Sequence, residues 1–280
     1  MHAFKIGRTT VVKADYLTDA LLLTPQPPKS AHPADEYLDA TSRENLRFYG
    51  YTLGRMRDAI LGHRPISEHA KPLDRLQSLG YHGIANTLAR VVDPSGVEVS
   101  DYAGFYSGDP DAMVEYRHED VEDNVIKIAF NICATAACKD EHFESRAMGL
   151  LSLVNALESQ GTAVHIDAFQ YATDREGDVI SWFPVKRAED PLDILHLYYT
   201  MGRKEGLRRI GFALEDYGYA SGLIHESWFC GRGTVRDIVP THLTDGYDWV
   251  WQKGMFTAED MMENILSKAL QDGLIRGPIR

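Results

Sequence analysis

Between residues 124 and 173 the hydrophobic pattern changes period twice, and this switch limits the architectures open to the chain more than any other feature. "NVIKIAFNI" (124–132) is a β-branched, apolar run bounded by polar residues, which predicts a buried strand. "EHFESRAMGLLSLVNALESQG" (141–161) then places Phe143, Ala147, Leu150, Leu151, Val154 and Leu157 on one helical face, with Gly161 positioned as a C-terminal cap. "TAVHIDAFQYAT" (162–173) returns to alternation through Val164, Ile166 and Ala168, a second strand. "DVISWFPVKRA" (178–188) predicts a third strand, with Pro184 limiting its central pairing. A long helix is expected over 191–218, a fourth strand in "VRDIVPTHLTDG" (235–246), and a last helix over 257–273 opened by Thr257 and Asp260. This order predicts an α/β fold with an open, mostly parallel sheet covered by helices.

The chain ahead of this unit reads differently. Four prolines in "TPQPPKSAHPADE" (24–36) forbid a helix there. Leu46, Tyr49, Leu53, Met56 and Ile60, and then Leu76, Leu79, Ile84, Leu88 and Val91, recur at helical spacing, so residues 37–93 are expected to be mainly helical. A turn-rich acidic stretch follows. The expected organisation is an N-terminal helical and loop region (1–120) followed by an α/β domain (121–280).

Composition narrows the function classes. The chain of 280 residues carries a formal net charge of −12, so its mean field repels phosphate backbones, and nucleic acid is not an expected partner. No apolar run approaches the roughly 20 residues of a membrane span, and the Ala20–Leu23 stretch is too short for a secretory signal. Three cysteines argue for reduced thiols over a disulfide framework, and a cytoplasmic location is expected. Neither the phosphate loop nor the dinucleotide glycine fingerprint occurs.

Ligands of open α/β sheets bind at the carboxyl ends of the strands. That rule puts "NICATAAC" (131–138) and "HLTDG" (242–246) at one edge. Alternate side chains on an extended loop point the same way, so Asn131, Cys133 and Thr135 could face a hard cation, with Asp245 supplying charge.

A strand entering such a loop, then an amphipathic helix, a second strand and a later strand ending in Thr244-Asp245-Gly246 resembles the layout of von Willebrand factor A-type domains. The chain also resembles bacteriophage and bacterial proteins that carry a degenerate form of that domain. The resemblance covers roughly residues 124–272. It implies a Rossmann-like sheet and an adhesion-type site for Mg²⁺ or Mn²⁺ at Asn131, Cys133, Thr135 and Asp245. It further implies a non-enzymatic binding or adaptor role, worked through the strand-end loops, with a protein partner such as a ring ATPase of the MoxR kind. The chain departs from the family at Asn131, where the family has Asp, and at Cys133, where it has Ser, while Thr135 keeps its hydroxyl. The family's further threonine would fall near "AEDPLD" (188–193), which has none. A carboxamide lacks the carboxylate's charge and a thiol is a poor ligand for a hard cation. Both a live ion site and a loop that kept only the fold stay open on these residues.

Other constellations compete. Cys138 and His142 are four apart, a spacing that brings them to one helical face as a hydrolase nucleophile pair, with Cys133 and His242 as further candidates. Zinc held by Cys133, Cys138, His142, His225 and Cys230 is a weaker reading, because the spacings fall outside the usual paired pattern. Arg203, Lys204, Arg208 and Arg209 form a basic cluster that reads as a solvated or salt-bridged helical face, or as a site for a phosphate or a partner's acidic loop. Tyr247, Trp249 and Trp251 read as anchors for a partner or as a segment pinned over the core. A virion-associated or self-assembling structural role is the third functional class.

Overall fold

The computed structural model describes residues 1–23, 97–99, 113–115, 125–135, 137–158, 160–190, 192–230, 234–235, 239–254 and 261–275. The helices expected over 37–93, the turn-rich stretch that follows them, apart from two short strands, and the Thr257–Asp260 cap lie outside these residues.

The strands are β1 (His2–Ile6), β2 (Thr9–Lys13), β3 (Val97–Val99), β4 (Met113–Glu115), β5 (Val125–Asn131), β6 (Ala163–Thr173), β7 (Asp178–Lys186), β8 (Thr234–Val235) and β9 (Trp249–Trp251). The α-helices are α1 (Leu17–Leu21), α2 (Asp140–Glu158), α3 (Ile194–Met201), α4 (Phe212–Ala220) and α5 (Met261–Gln271), and a π-helical turn, Gly206–Gly211, leads into α4. Among the described residues seven strands form one sheet in the order β1-β2-β7-β6-β5-β9, with β8 pairing β6, while β3 and β4 pair with each other.

The fold is a mixed α/β arrangement. Three of the five pairings along the path are parallel, β2 with β7, β6 with β5 and β5 with β9. The two antiparallel ones are hairpins, β1–β2 and β6–β7. The β6–β7 turn is an Asx turn, in which Asp174 Oδ1 accepts the N–H groups of Glu176 (2.8 Å) and Gly177 (3.1 Å). The expected strand–helix–strand unit is present: β5 and β6 are parallel in the register Val125↔Ala163 to Asn131↔Phe169, with α2 between them. Gly161, at φ 80°, turns the chain out of the α2 end, as a C-terminal cap requires.

Even-numbered β6 residues, Val164, Ile166, Ala168 and Ala172, face the main core with Ile128, Phe130, Val12 and Phe183. The helices contribute Phe143, Leu150, Val154, Leu197, Ile210, Leu214 and Ile265 to the same core. Helix α2 is buried over more of its surface than its apolar stripe predicts, since Arg146, Met148, Gly149 and Leu153 are buried as well. Close approach of α5 accounts for part of this: a Cβ on Gly149 would lie 2.9 Å from Ile265 Cδ1. The opposite face of the sheet holds a smaller cluster of Ala129, Phe169, Tyr171, Ile180, Trp182 and Val239.

Three expectations are corrected. Residues 2–13 belong to the sheet, whereas the sequence reading placed no strand of it before residue 121. Of the strand expected over 235–246, the described residues hold only Val235, the end of the two-residue β8; Thr241–Leu243 is a 3₁₀ turn, Pro240 ahead of it has no N–H to give a ladder, and the next strand is Trp249–Trp251. The helix expected over 191–218 is broken after α3, because the chain folds tightly over its own last turn. A Cβ on Gly206 would lie 1.7 Å from Thr200 O. No described helix is long and apolar enough to cross a membrane.

Candidate functional site at the carboxyl end of β5

Helix α2 and the loop 131–138 meet where β5 ends, and Asn131, Cys133 and Thr135 are each hydrogen-bonded there. Asn131 is 1% exposed. Its Nδ2 donates to Gln252 O (2.6 Å), just past β9, and its Oδ1 accepts the Cys133 N–H (2.9 Å). The carboxamide therefore ties the ends of two parallel strands and shapes the loop, which requires one donor and one acceptor on a single short side chain. Cys133 is fully buried. Its thiol donates to Tyr171 O (3.3 Å) and its sulfur accepts Tyr171 N–H (3.2 Å), so it extends the β6 ladder beyond the end of β5. Thr135 Oγ1 lies 3.6 Å from Cys138 Sγ, and Thr135 O accepts from Arg208 Nη2 (3.1 Å).

Beneath the loop lies Arg146, which is fully buried. Its Nε donates to Met201 O (2.8 Å) and its Nη1 to Ile132 O (2.9 Å), joining α2, α3 and the strand end, and the guanidinium lies over Phe143 at 5.0 Å. Burial pushes its pKa down to about 9, against the opposing influence of the Cys138 and Cys133 thiols. Arg203 goes the other way: burial disfavours its charge, but Glu205, Tyr198 and Asp140 outweigh that and raise its pKa.

The basic cluster is not a solvated helical face, but two of its members are salt-bridged, as the other half of that reading expected. Arg208 and Arg209 are each 3% exposed on the π-helical turn, Lys204 pairs with Asp140 at 3.1 Å, and Arg203 sits 3.6 Å from Glu205. A π-helical turn and the tight Gly206 occur together here, and π-helical turns are frequent at functional sites. Arg146 went unremarked in the sequence reading, although a signal existed: an arginine inside the stripe of Phe143, Ala147 and Leu150.

The predicted cation ligands do not converge. Strand β9 runs parallel to β5 with Ile128 opposite Trp249 and Phe130 opposite Trp251. Asp245 precedes β9 and is exposed at the amino end of β5, where Asp248 Oδ2 accepts the Lys127 N–H (2.8 Å). Asn131 lies at the other end, and the four steps along the strand from Lys127 to Asn131 span about 13 Å. Ligands of one hard cation lie within about 5 Å of one another. Among the described residues no group of three His, Cys, Asp or Glu side chains could hold a metal ion. Asn131, Cys133, Thr135 and Asp245 therefore do not fit a Mg²⁺ or Mn²⁺ ion.

The aromatic anchors are corrected too. Trp249 and Trp251 are 6% and 5% exposed; Trp251 stacks on Phe130 at 5.7 Å, and their indole N–H groups donate to Asp272 Oδ2 (2.8 Å) and Lys253 O (2.6 Å). Alternation did place both on one face, and that face is the core. Tyr247 lies against the opposite face of the sheet, where its hydroxyl donates to Asp167, and His165 Nε2 is 3.1 Å from the same carboxylate. Burial works to raise the Asp167 pKa, but the hydrogen bond and charge of His165, followed by the Tyr247 hydroxyl, hold it below the usual carboxylate value. Sequence reasoning missed this trio, since His165 and Asp167 are two apart on one strand but Tyr247 comes from a distant turn.

For the nucleophile pair, His142 Nδ1 accepts the Lys139 N–H (3.1 Å) and caps α2. A nitrogen committed in this way is not available to take a proton from Cys138. The second candidate base, His242, is exposed on the Thr241–Leu243 turn, whereas the Cys133 thiol is fully buried against the Tyr171 backbone. The side chain of Cys230 lies outside the description, and His225 Nδ1 is 2.8 Å from Ser227 Oγ.

The family described as Domain of unknown function (DUF7192) matches residues 34–237. No curated protein and no solved structure matches the chain.

Proposed function

We propose that this chain, which belongs to the DUF7192 family, is a non-catalytic binding or adaptor protein of the cytoplasm. It is built on a von Willebrand factor A-like, Rossmann-like sheet whose ion site has been replaced by a hydrogen-bonded loop. The observation that carries this reading is the Asn131 carboxamide, buried between Gln252 O and Cys133 N–H. At the position where the resemblance expects a charged ligand, the chain has a neutral brace. The parallel β5–α2–β6 unit and the added parallel strand β9 support the same likeness. Strand-end loops then offer a preformed surface that needs no ion to hold its shape, and a ring ATPase of the MoxR kind is the partner the likeness suggests.

The test is capture on the tagged chain from its native cells, in buffer with Mg²⁺ and in buffer with a chelator. The expected result is a stoichiometric protein retained equally in both. Loss of that protein on chelation would overturn the metal-free loop, and recovery of the chain alone in both buffers would overturn the adaptor role. Fast modification of a native thiol by iodoacetamide would favour the hydrolase class instead.

A further inference from the structure

We infer that the outer edge of β1 is a docking edge for an extended acidic segment of a partner protein, which adds to the sheet as one more strand. Strand β1 ends the strand order, and among the described residues nothing pairs with its outer side. The β1–β2 hairpin closes through a two-residue turn with Gly7 at φ 61°, and Ile6 is opposite Thr9. In such a hairpin the closing pair and every second pair exchange ladder hydrogen bonds. His2, Phe4 and Ile6 therefore bond to β2, and the N–H and C=O groups of Ala3 and Lys5 point outward. Phe4 and Ile6 are 42% and 38% exposed, on the strand face opposite to Lys5.

Charge decides what fits. No acidic residue occurs before Asp15 in a chain whose net charge is −12, while Lys5, Arg8 and Lys13 all lie in that stretch; Arg8 pairs with Asp178 at 3.7 Å, so Lys5 is the cation that β1 itself presents. Asp15 itself is engaged by the Met1 amine (2.7 Å) and His2 Nε2 (3.1 Å). A second copy would bring Lys5 of one edge against the same edge of the other, with no carboxylate on either strand to meet it. A lysine on an edge strand is a known device against self-pairing. An incoming strand with carboxylates on one face and apolar side chains on the other meets Lys5 with the first and Phe4 and Ile6 with the second. Main-chain hydrogen bonds supply affinity and the alternating side chains supply selectivity, as in strand addition generally. This edge is a different surface from the Asn131 loop, so its failure would leave the adaptor reading standing.

The experiment is a fluorescence anisotropy titration of the full chain against a labelled, end-capped peptide of alternating Glu and Val, with an alternating Lys and Val peptide as control. The acidic peptide should bind saturably, more weakly as salt rises, and the basic peptide should not bind. Ala3→Pro removes an outward N–H without touching the β1–β2 ladder, and should weaken binding about tenfold. Lys5→Glu should weaken it about tenfold through charge alone, and keeps the test decisive if the proline variant unfolds. The inference is overturned if the acidic peptide does not bind or if both variants bind it as well as the unsubstituted chain. It is equally overturned if light scattering shows a dimer that Ala3→Pro dissociates, since a second copy would then hold the edge.

Discussion

Replacing Asn131 by Asp restores the carboxylate that the likeness to adhesion-type sites expects, and here it should weaken the protein. The Oδ1 bond from Cys133 N–H (2.9 Å) survives the change. The Nδ2 donor to Gln252 O is lost, and in its place a carboxylate oxygen faces a carbonyl oxygen across the 2.6 Å now closed by a hydrogen bond. At 1% exposure water cannot intervene. Loss of a hydrogen bond together with an uncompensated buried charge costs about 3–5 kcal/mol. Expressed as ionisation, that places the folded-state pKa of the introduced carboxyl about two to four units above its unfolded value. A raised carboxyl pKa costs stability only where the unfolded chain ionises and the folded one resists. The deficit is therefore small below about pH 4, where the protonated group can still donate to Gln252 O, and approaches its full size by about pH 7. The assay is urea unfolding of both chains at these two pH values, with and without Mg²⁺. Equal stability at neutral pH would refute the assignment of Asn131 as a brace. Recovery of stability on adding Mg²⁺ would refute the claim that this loop lacks cation chemistry.

Further outcomes follow from neighbouring geometry. Cys133 should resist iodoacetamide in the native state and label only on unfolding, as peptide mapping of labelled chains will show, because its sulfur is buried between the N–H and C=O of Tyr171. Tyr247→Phe removes a donor to the buried Asp167 carboxylate and should cost about 1–2 kcal/mol. Because the folded pKa of Asp167 is lowered, its contribution is present above the unfolded carboxyl pKa and is lost as pH falls through the folded value. The difference between the two chains in urea unfolding should thus be full near neutrality and shrink on acidification. Gly206→Ala forces a methyl group onto Thr200 O and should lower stability by at least about 4 kcal/mol, visible as a large fall in the thermal midpoint.

Some of this protein was legible in local pattern alone. β5, α2, β6 and β7 stand close to where the apolar spacing put them, and Gly161 ends α2 as expected, because the period of a strand or helix is set by neighbours a few residues apart. The parallel crossover followed from the order of those elements. The same reasoning stopped short at β9, where alternation of Trp249 and Trp251 showed that they share a face but not which face. Their burial against Phe130 depends on a strand more than a hundred residues away.

The sequence by itself determined β5, α2, β6 and β7, the strand–helix–strand core they form and the neutral chemistry of the loop 131–135. Tertiary structure alone decided where the side chains met. Asp245 was placed beside Asn131 on the premise that its segment ends a strand; it precedes one, and strand direction then sends the two residues to opposite ends of β5. Arg208 and Arg209 look like surface cations in one dimension, yet a π-helical turn buries them and Arg208 braces the Thr135 carbonyl. The physical reason is the same in each case. Hydrophobic period is a local quantity, whereas register, strand direction and the burial of charge are fixed by contacts between segments distant in the chain, where hydrogen bonds and ion pairs can offset desolvation.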